Sequence, residues 1–89
     1  DTDQVVLNAI RSGAIDATMS QNPYGHGYIT CGLLSHLLDG WRPNPAEYFV
    51  NSGTVLVTKD KVDSFQEDIM NTTQQIMGEL ERKYLLPPN

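Results

Sequence analysis

The chain has a single cysteine among its 89 residues, Cys31, so no disulfide can close within it, and cysteine usage leaves the redox compartment open. Cations are also scarce: six Lys and Arg stand against eleven Asp and Glu, a formal net charge of -5. That balance lacks the basic face that neutralises phosphates, which argues against nucleic acid as a partner. It likewise offers no polybasic attraction to anionic lipid. No apolar run approaches the roughly 20 residues needed to cross a bilayer. No signal peptide opens the chain; its first residues already have the pattern of a domain interior, so any leader is expected upstream. Internal repeats and low-complexity tracts are absent. What remains is an ordinary globular composition, 39% hydrophobic and 19% charged, with room for one small domain whose surface is large for its volume.

Asp3 can cap a short helix over "QVVLNAIRSG", in which Val6, Ala9 and Ile10 recur at helical spacing and Gly13 suits a left-handed stop. "AIDATMSQ" then alternates, with Ile15, Ala17 and Met19 on one side and Asp16, Thr18 and Ser20 on the other, which predicts a strand of about six residues. Asn22 as N-cap and Pro23 as first helical residue start a second helix that stops at Gly40. Tyr24, Tyr28, Cys31, Leu34, Leu37 and Leu38 are expected to face inward from it. Pro43 and Pro45 make "WRPNPAE" an irregular connector, with Trp41 as a lid on the helix end.

Two β-rich runs follow, Tyr48 to Val50 and Thr54 to Val57, divided by Asn51, Ser52 and Gly53. They fit either a hairpin or one extended path that bends at the polar break, with Tyr48 and Phe49 in the core. From Asp60 a long helix is predicted, with Val62, Phe65, Ile69, Thr73, Ile76 and Leu80 as its buried stripe. Its charges, from Asp63 to Lys83, form a solvated face. The order of elements is α/β in character. It opens on a helix with no strand before it, and a parallel sheet buried on both sides needs more strands than this, so the chain reads as the end of a larger domain.

No constellation here supports an enzyme. His26 and His36 lie ten residues apart on one helix, not the four that a metal pair on one face needs, so no metal or other cofactor is expected. Cys31 reads as a buried, inert thiol. Neither Ser20 nor Ser52 stands in a nucleophile elbow. The "NTT" at Asn71 matches a glycosylation sequon but falls in mid-helix.

The informative stretch is "SQNPYGHGYITCGLLSHLLDGW", residues 20 to 41. Gln21 stands where a strand ends, at the kind of sheet edge where α/β proteins bind ligands. Its amide donates and accepts at once, which suits a hydroxyl that does both. Asp1, Gly13, Gln21, Pro23 and Gly27 fall in step with a pattern of an Asp at a strand end, a helix closed by Gly, a strand ending in Gln, then Pro and a further Gly. On these residues, the chain over roughly positions 1 to 60 resembles the C-terminal third of type I periplasmic sugar-binding proteins, the ribose- and galactose-binding family of ABC-transporter substrate-binding proteins.

The resemblance implies a periplasmic-binding-protein-like I fold: two α/β lobes, each a three-layer αβα sandwich, joined by crossing strands and closing on the ligand like a hinged clamp, with this chain as the C-terminal segment only. It implies inter-lobe crossings near residues 21–22 and 51–53, with Gln21, Asn22, Asn51 and Ser52 as hinge positions. It implies that Asp1 and Gln21 hydrogen-bond a monosaccharide or related polyol. The stacking aromatic rings would come from outside this sequence, and Gly27 would allow close packing of its helix on a sheet, while Gly25 has no such account. The expected role is non-catalytic solute binding for an ABC-type importer, in a periplasmic or extracellular, secreted or lipid-anchored bacterial protein. Expected partners are the remaining segment of the same protein and a permease or chemoreceptor. The alternative is the ligand-sensing domain of a LacI-type repressor or of a membrane-receptor signalling system. The long last helix favours the transporter relatives, since repressors finish sooner.

Overall fold

A computed structural model describes residues 1–89. Along the chain run α1 (Gln4–Ser12), β1 (Ala17–Ser20), α2 (Pro23–Leu38), β2 (Arg42–Pro43), a 3-10 turn (Pro45–Glu47), β3 (Val55–Thr58), α3 (Phe65–Glu79), a π-helical turn (Leu80–Tyr84) and β4 (Leu85–Leu86). The class is mixed α/β, with two antiparallel two-stranded sheets, β1 with β3 and β2 with β4.

The Asp3 carbonyl accepts the amide of Leu7 at 3.0 Å and so starts α1, but the Asp3 carboxylate caps nothing; the backbone alone makes this end. Gly13 ends the helix as expected, at φ 83°. Leu7 and Ile10 are buried, and Val6 and Ala9 half-buried beside them. The strand after it is shorter than expected because its partner β3 also has only four residues. Its faces are reversed in burial. Thr18 and Ser20 share the covered side with Val55 and Val57, whereas Met19, opposite Leu56, is 49% exposed and Leu56 55%. Helices α1 and α3 cover only one side of this ribbon, which leaves Met19 and Leu56 bare on the other.

The largest correction concerns α2. It begins where the sequence places it, with the Asn22 side chain accepting the Gly25 N–H at 2.8 Å. Yet Tyr24, Tyr28, Cys31, Leu34, Leu37 and Leu38 are all exposed, and the covered side is Gly25, Ile29, Gly32 and Leu33. An apolar helix of this kind has no polar face to orient it, so spacing could not decide its inner side. Backbone access decides it. A Cβ on Gly32 would stand 2.7 Å from Met77 Cε, and one on Gly25 would collide with the Asn22 amide and lie 2.8 Å from Thr73 Oγ1. These two glycines let α3 lie close on α2, while Gly27 faces open space, contrary to the expectation from the family pattern.

The segment before β3 is an extended path, not a hairpin, and Tyr48 and Phe49 are 87% and 69% exposed instead of buried. Residues 59–64 make turns, so α3 starts at Phe65. Its predicted stripe is buried throughout: Val62, Phe65, Ile69, Thr73, Ile76 and Leu80. Trp41 is half-buried at the end of α2, its ring edge-on to His36 at 5.5 Å.

The core is divided. Leu7, Ile10, Val57, Val62, Phe65 and Ile69 form one apolar cluster; Ile29, Ile76, Leu80, Tyr84 and Leu85 form a second. α3 belongs to both, with Thr73 between its two contributions. The molecule measures 56 × 20 × 15 Å, with a radius of gyration of 16.3 Å. A compact chain of this length would give about 12 Å.

Candidate functional site

Gln21 leaves the end of β1 with an exposed side chain, one residue before the buried cap Asn22. Asp1 lies along the same strand. Its backbone nitrogen donates to Thr18 Oγ1 at 3.0 Å and to the Met19 carbonyl at 3.2 Å, and the Thr18 hydroxyl donates back to the Asp1 carbonyl at 2.8 Å. Both residues line one open cavity of about 360 Å³. Tyr24 of α2 and Gln66 and Met70 of α3 also line it, over a floor that includes the buried Phe65. Among its lining residues Asp1 carries the only carboxylate, and none is Lys, Arg or His.

Three of these groups escaped the sequence reading. Tyr24 reads as core because it sits in an apolar helix. Gln66 is one more polar residue on a helix surface and carries no signal. Met70 does carry one: it is a large apolar residue outside the stripe that α3 buries, and it is 49% exposed.

The other singled-out residues lie outside this cavity. Asn22, 2% exposed, donates from Nδ2 to the Ser52 carbonyl at 2.8 Å and to Thr73 Oγ1 at 2.9 Å. With Gly25 N–H on its Oδ1, the buried amide is satisfied on both ends, as a buried polar group must be. One side chain thus ties the segment at 22, the segment at 52 and the middle of α3, at the level where the chain passes from one apolar cluster to the other. Asn51 is exposed, its Oδ1 accepting the Gly53 N–H at 2.9 Å. Asn51 and Ser52 line a second cavity of about 340 Å³ with His26, Thr30 and Phe49, so they are not neighbours of Asp1 and Gln21.

The remaining polar contacts are structural. His36 Nδ1 donates to the Gly32 carbonyl at 2.7 Å, and Nε2 meets Glu81 Oε2 at 2.9 Å. These two bonds, the first foremost, raise its pKa above the ordinary 6.5, and the Glu81 and Asp39 charges add to them against a small cost of burial. The Thr58 hydroxyl bonds the Asp60 carboxylate and holds its pKa below the usual value. Arg11 pairs with Asp63 at 2.8 Å on the surface. Cys31 is exposed, not buried as expected, and no group of three or more His, Cys, Asp or Glu stands together as a metal site. No helix is long and apolar enough to cross a membrane. Comparison with protein-family models, with curated proteins and with solved structures finds no match to this chain.

Proposed function

We propose that this chain is the C-terminal segment of a two-lobed, type I periplasmic sugar-binding protein that captures a monosaccharide or related polyol for an ABC-type importer. The observation that carries the reading is the meeting of Asp1 and Gln21, twenty residues apart, on the wall of one cavity beside β1. An ionised carboxylate accepts two hydroxyl protons in charge-assisted bonds, and an amide both donates to and accepts from a neighbouring hydroxyl. That pair suits vicinal hydroxyls on a ring. The set pairs no nucleophile with an adjacent base, and the function is read as binding without chemistry.

Two further features support it. The chain passes from the first apolar cluster to the second near residues 20–22 and returns near 50–55, close to the crossings that the resemblance implies. In this reading each cluster is part of one lobe, and the two-stranded β1–β3 ribbon is part of a larger sheet. The bare faces fit as well: Met19 and Leu56 on the ribbon, and Tyr28, Leu34 and Leu38 on α2, are apolar surfaces that the remaining segment of the same protein would cover in a three-layer lobe.

The reading places the protein in the periplasm or outside the cell, with a permease or receptor as its docking partner. The test is Gln21→Ala in the intact protein, with D-ribose and D-galactose titrated by calorimetry. Loss of a neutral hydrogen-bonding pair should weaken affinity about tenfold. An unchanged affinity would remove Gln21 from the site, and the absence of binding of either sugar to the unsubstituted protein would overturn the sugar-binding reading.

A further inference from the structure

Gln21 belongs to neither of the elements beside it: β1 ends at Ser20 and α2 begins at Pro23, with Asn22 between. Where its side chain starts from therefore depends on its two neighbours. Before it, Ser20 is paired with Val55, and the Ser20 hydroxyl donates to the Gln21 carbonyl at 2.9 Å. After it, the Asn22 carbonyl accepts the His26 N–H at 2.9 Å, and the Asn22 amide reaches across to Thr73 of α3, a fully buried residue. One and two turns earlier on α3, Gln66, Ile69 and Met70 line the cavity that Gln21 also lines. We propose that Thr73 is a positioning residue for ligand binding: through Asn22 it locks α3 to the segment that carries Gln21, and so sets two walls of the cavity in register. The proposal rests on the sugar-binding reading and adds to it a buried residue, outside the site and beyond the part of the chain that carries the family resemblance, that governs the site's affinity.

The physical basis is an amide that fits in one orientation only. The two hydrogens of Asn22 Nδ2 go to the Ser52 carbonyl and to Thr73 Oγ1, and Oδ1 takes the Gly25 N–H. Turned over, the amide would set its oxygen against the Ser52 carbonyl and its nitrogen against an N–H. Adjacent Cα atoms are about 3.8 Å apart, so a displacement of Asn22 is passed to Gln21 with little loss. α3 cannot follow such a displacement, because Phe65 and Ile69 hold it to one apolar cluster and Ile76 and Leu80 to the other. With the bond to Thr73 gone, fewer molecules present Gln21 opposite the α3 wall, and apparent affinity falls by that fraction. Thr73 does not line the cavity, so its effect on a ligand can only pass through its neighbours.

The test uses the intact protein, with D-ribose and D-galactose titrated by calorimetry into each variant. Thr73→Val keeps the side-chain shape but withdraws the acceptor, and should weaken binding of the sugar that the unsubstituted protein takes by about five- to tenfold. Thr73→Ser returns an acceptor and should come back to within about twofold of the unsubstituted affinity. Leu80→Val, in the second cluster and away from the cavity, should lower the thermal midpoint without moving affinity. In a Gln21→Ala background, Thr73→Val should weaken binding by less than about twofold further, since both substitutions act on one contact. Should Thr73→Val fail to fold, Thr73→Ala removes the same acceptor and replaces it with the same expectation. If the Thr73 variants lower the midpoint as Leu80→Val does and leave affinity unchanged, Thr73 is structural only and the proposal is overturned. A loss on Gln21→Ala would still leave the sugar-binding reading standing in that case. An undiminished effect of Thr73→Val in the Gln21→Ala background also overturns the proposal. If neither sugar binds the unsubstituted protein, both proposals fall together.

Discussion

The two apolar clusters are built on different terms. The first gathers α1, β3, the turn at Val62 and the start of α3, and its helix α1 is amphipathic, with one face to lose to the core and one to solvent. The second rests on α2 and the end of α3, closed by Tyr84 and Leu85, and α2 is apolar nearly all round. A helix of the first kind is finished once a single neighbour covers it. A helix of the second kind is finished only when it is covered on several sides. The first region's uncovered apolar surface is the outer side of a sheet with Val5 and Met70 on its helices, and the second's is most of a helix. Between them α3 runs unbroken, and the Asn22 amide ties it to both passing segments.

The largest effect should come from that unfinished surface. The isolated 89-residue chain, with 15 residues buried, should show no cooperative thermal transition as a dilute monomer and should bind a hydrophobic dye. The dye signal should fall when the large apolar residues of α2 are replaced by polar ones, and less when Met19 and Leu56 are. A sharp transition at high dilution would show that both regions are complete as they stand.

Next in size is the contrast between glycines on α2, measured by chemical denaturation of the intact protein. Gly25→Ala should cost about 2–4 kcal/mol, because the added methyl displaces the Asn22 amide from its partners. Gly27→Ala, in open space on the same helix, should be neutral or stabilise by up to about 1 kcal/mol. Equal effects at the two positions would mean that α3 does not rest on α2 over Gly25. Thr73→Val keeps the shape but removes an acceptor from Asn22 Nδ2, and should cost about 1–3 kcal/mol. Hydrogen exchange should then quicken on both sides of the tie, near Asn22 and near Ser52, without spreading to α1.

The smallest effect separates the regions by pH. His36, in the second, has its pKa raised by its bonds to the Gly32 carbonyl and to Glu81, so the stability they lend the protonated ring is full below the unfolded value near 6.5 and is lost as pH rises through the folded value. Because Glu81 is exposed, the contribution should stay below about 1 kcal/mol. In the unsubstituted protein, the protection factors of α2 amides, corrected for intrinsic exchange, should fall above that range, and His36→Gln should remove that fall. The first region has no histidine and should show no such change.

Legibility followed the same division. The stripe of α3 was readable because Val62, Phe65, Ile69, Thr73, Ile76 and Leu80 recur against a charged background, and one period fits them. The start of α2 was readable from Asn22 and Pro23, since a cap and a fixed φ act locally. The inner side of α2 was not, because Tyr24, Leu34 and Gly25 lie in a helix with no polar reference. Tyr48 and Phe49 misled for a related reason: β-rich composition does not say whether a covering layer exists. Of the candidate site, Asp1 and Gln21 were singled out through the family resemblance and line one cavity, while Gln66 and Tyr24 gave no local sign.

What the sequence alone determined is the set of events that span a few residues: where helices start and stop, which residues of a strongly amphipathic helix turn inward, and that net charge is negative. The tertiary structure decided everything that depends on which surfaces meet. It chose the glycine side of α2 because only there can a second helix approach, and the covered side of the ribbon because α1 and α3 lie on it. It also brought an amide from residue 66 to a cavity begun at residue 1. Local sterics and capping are written in neighbouring residues, whereas contact between distant segments depends on the space that each leaves open to the other.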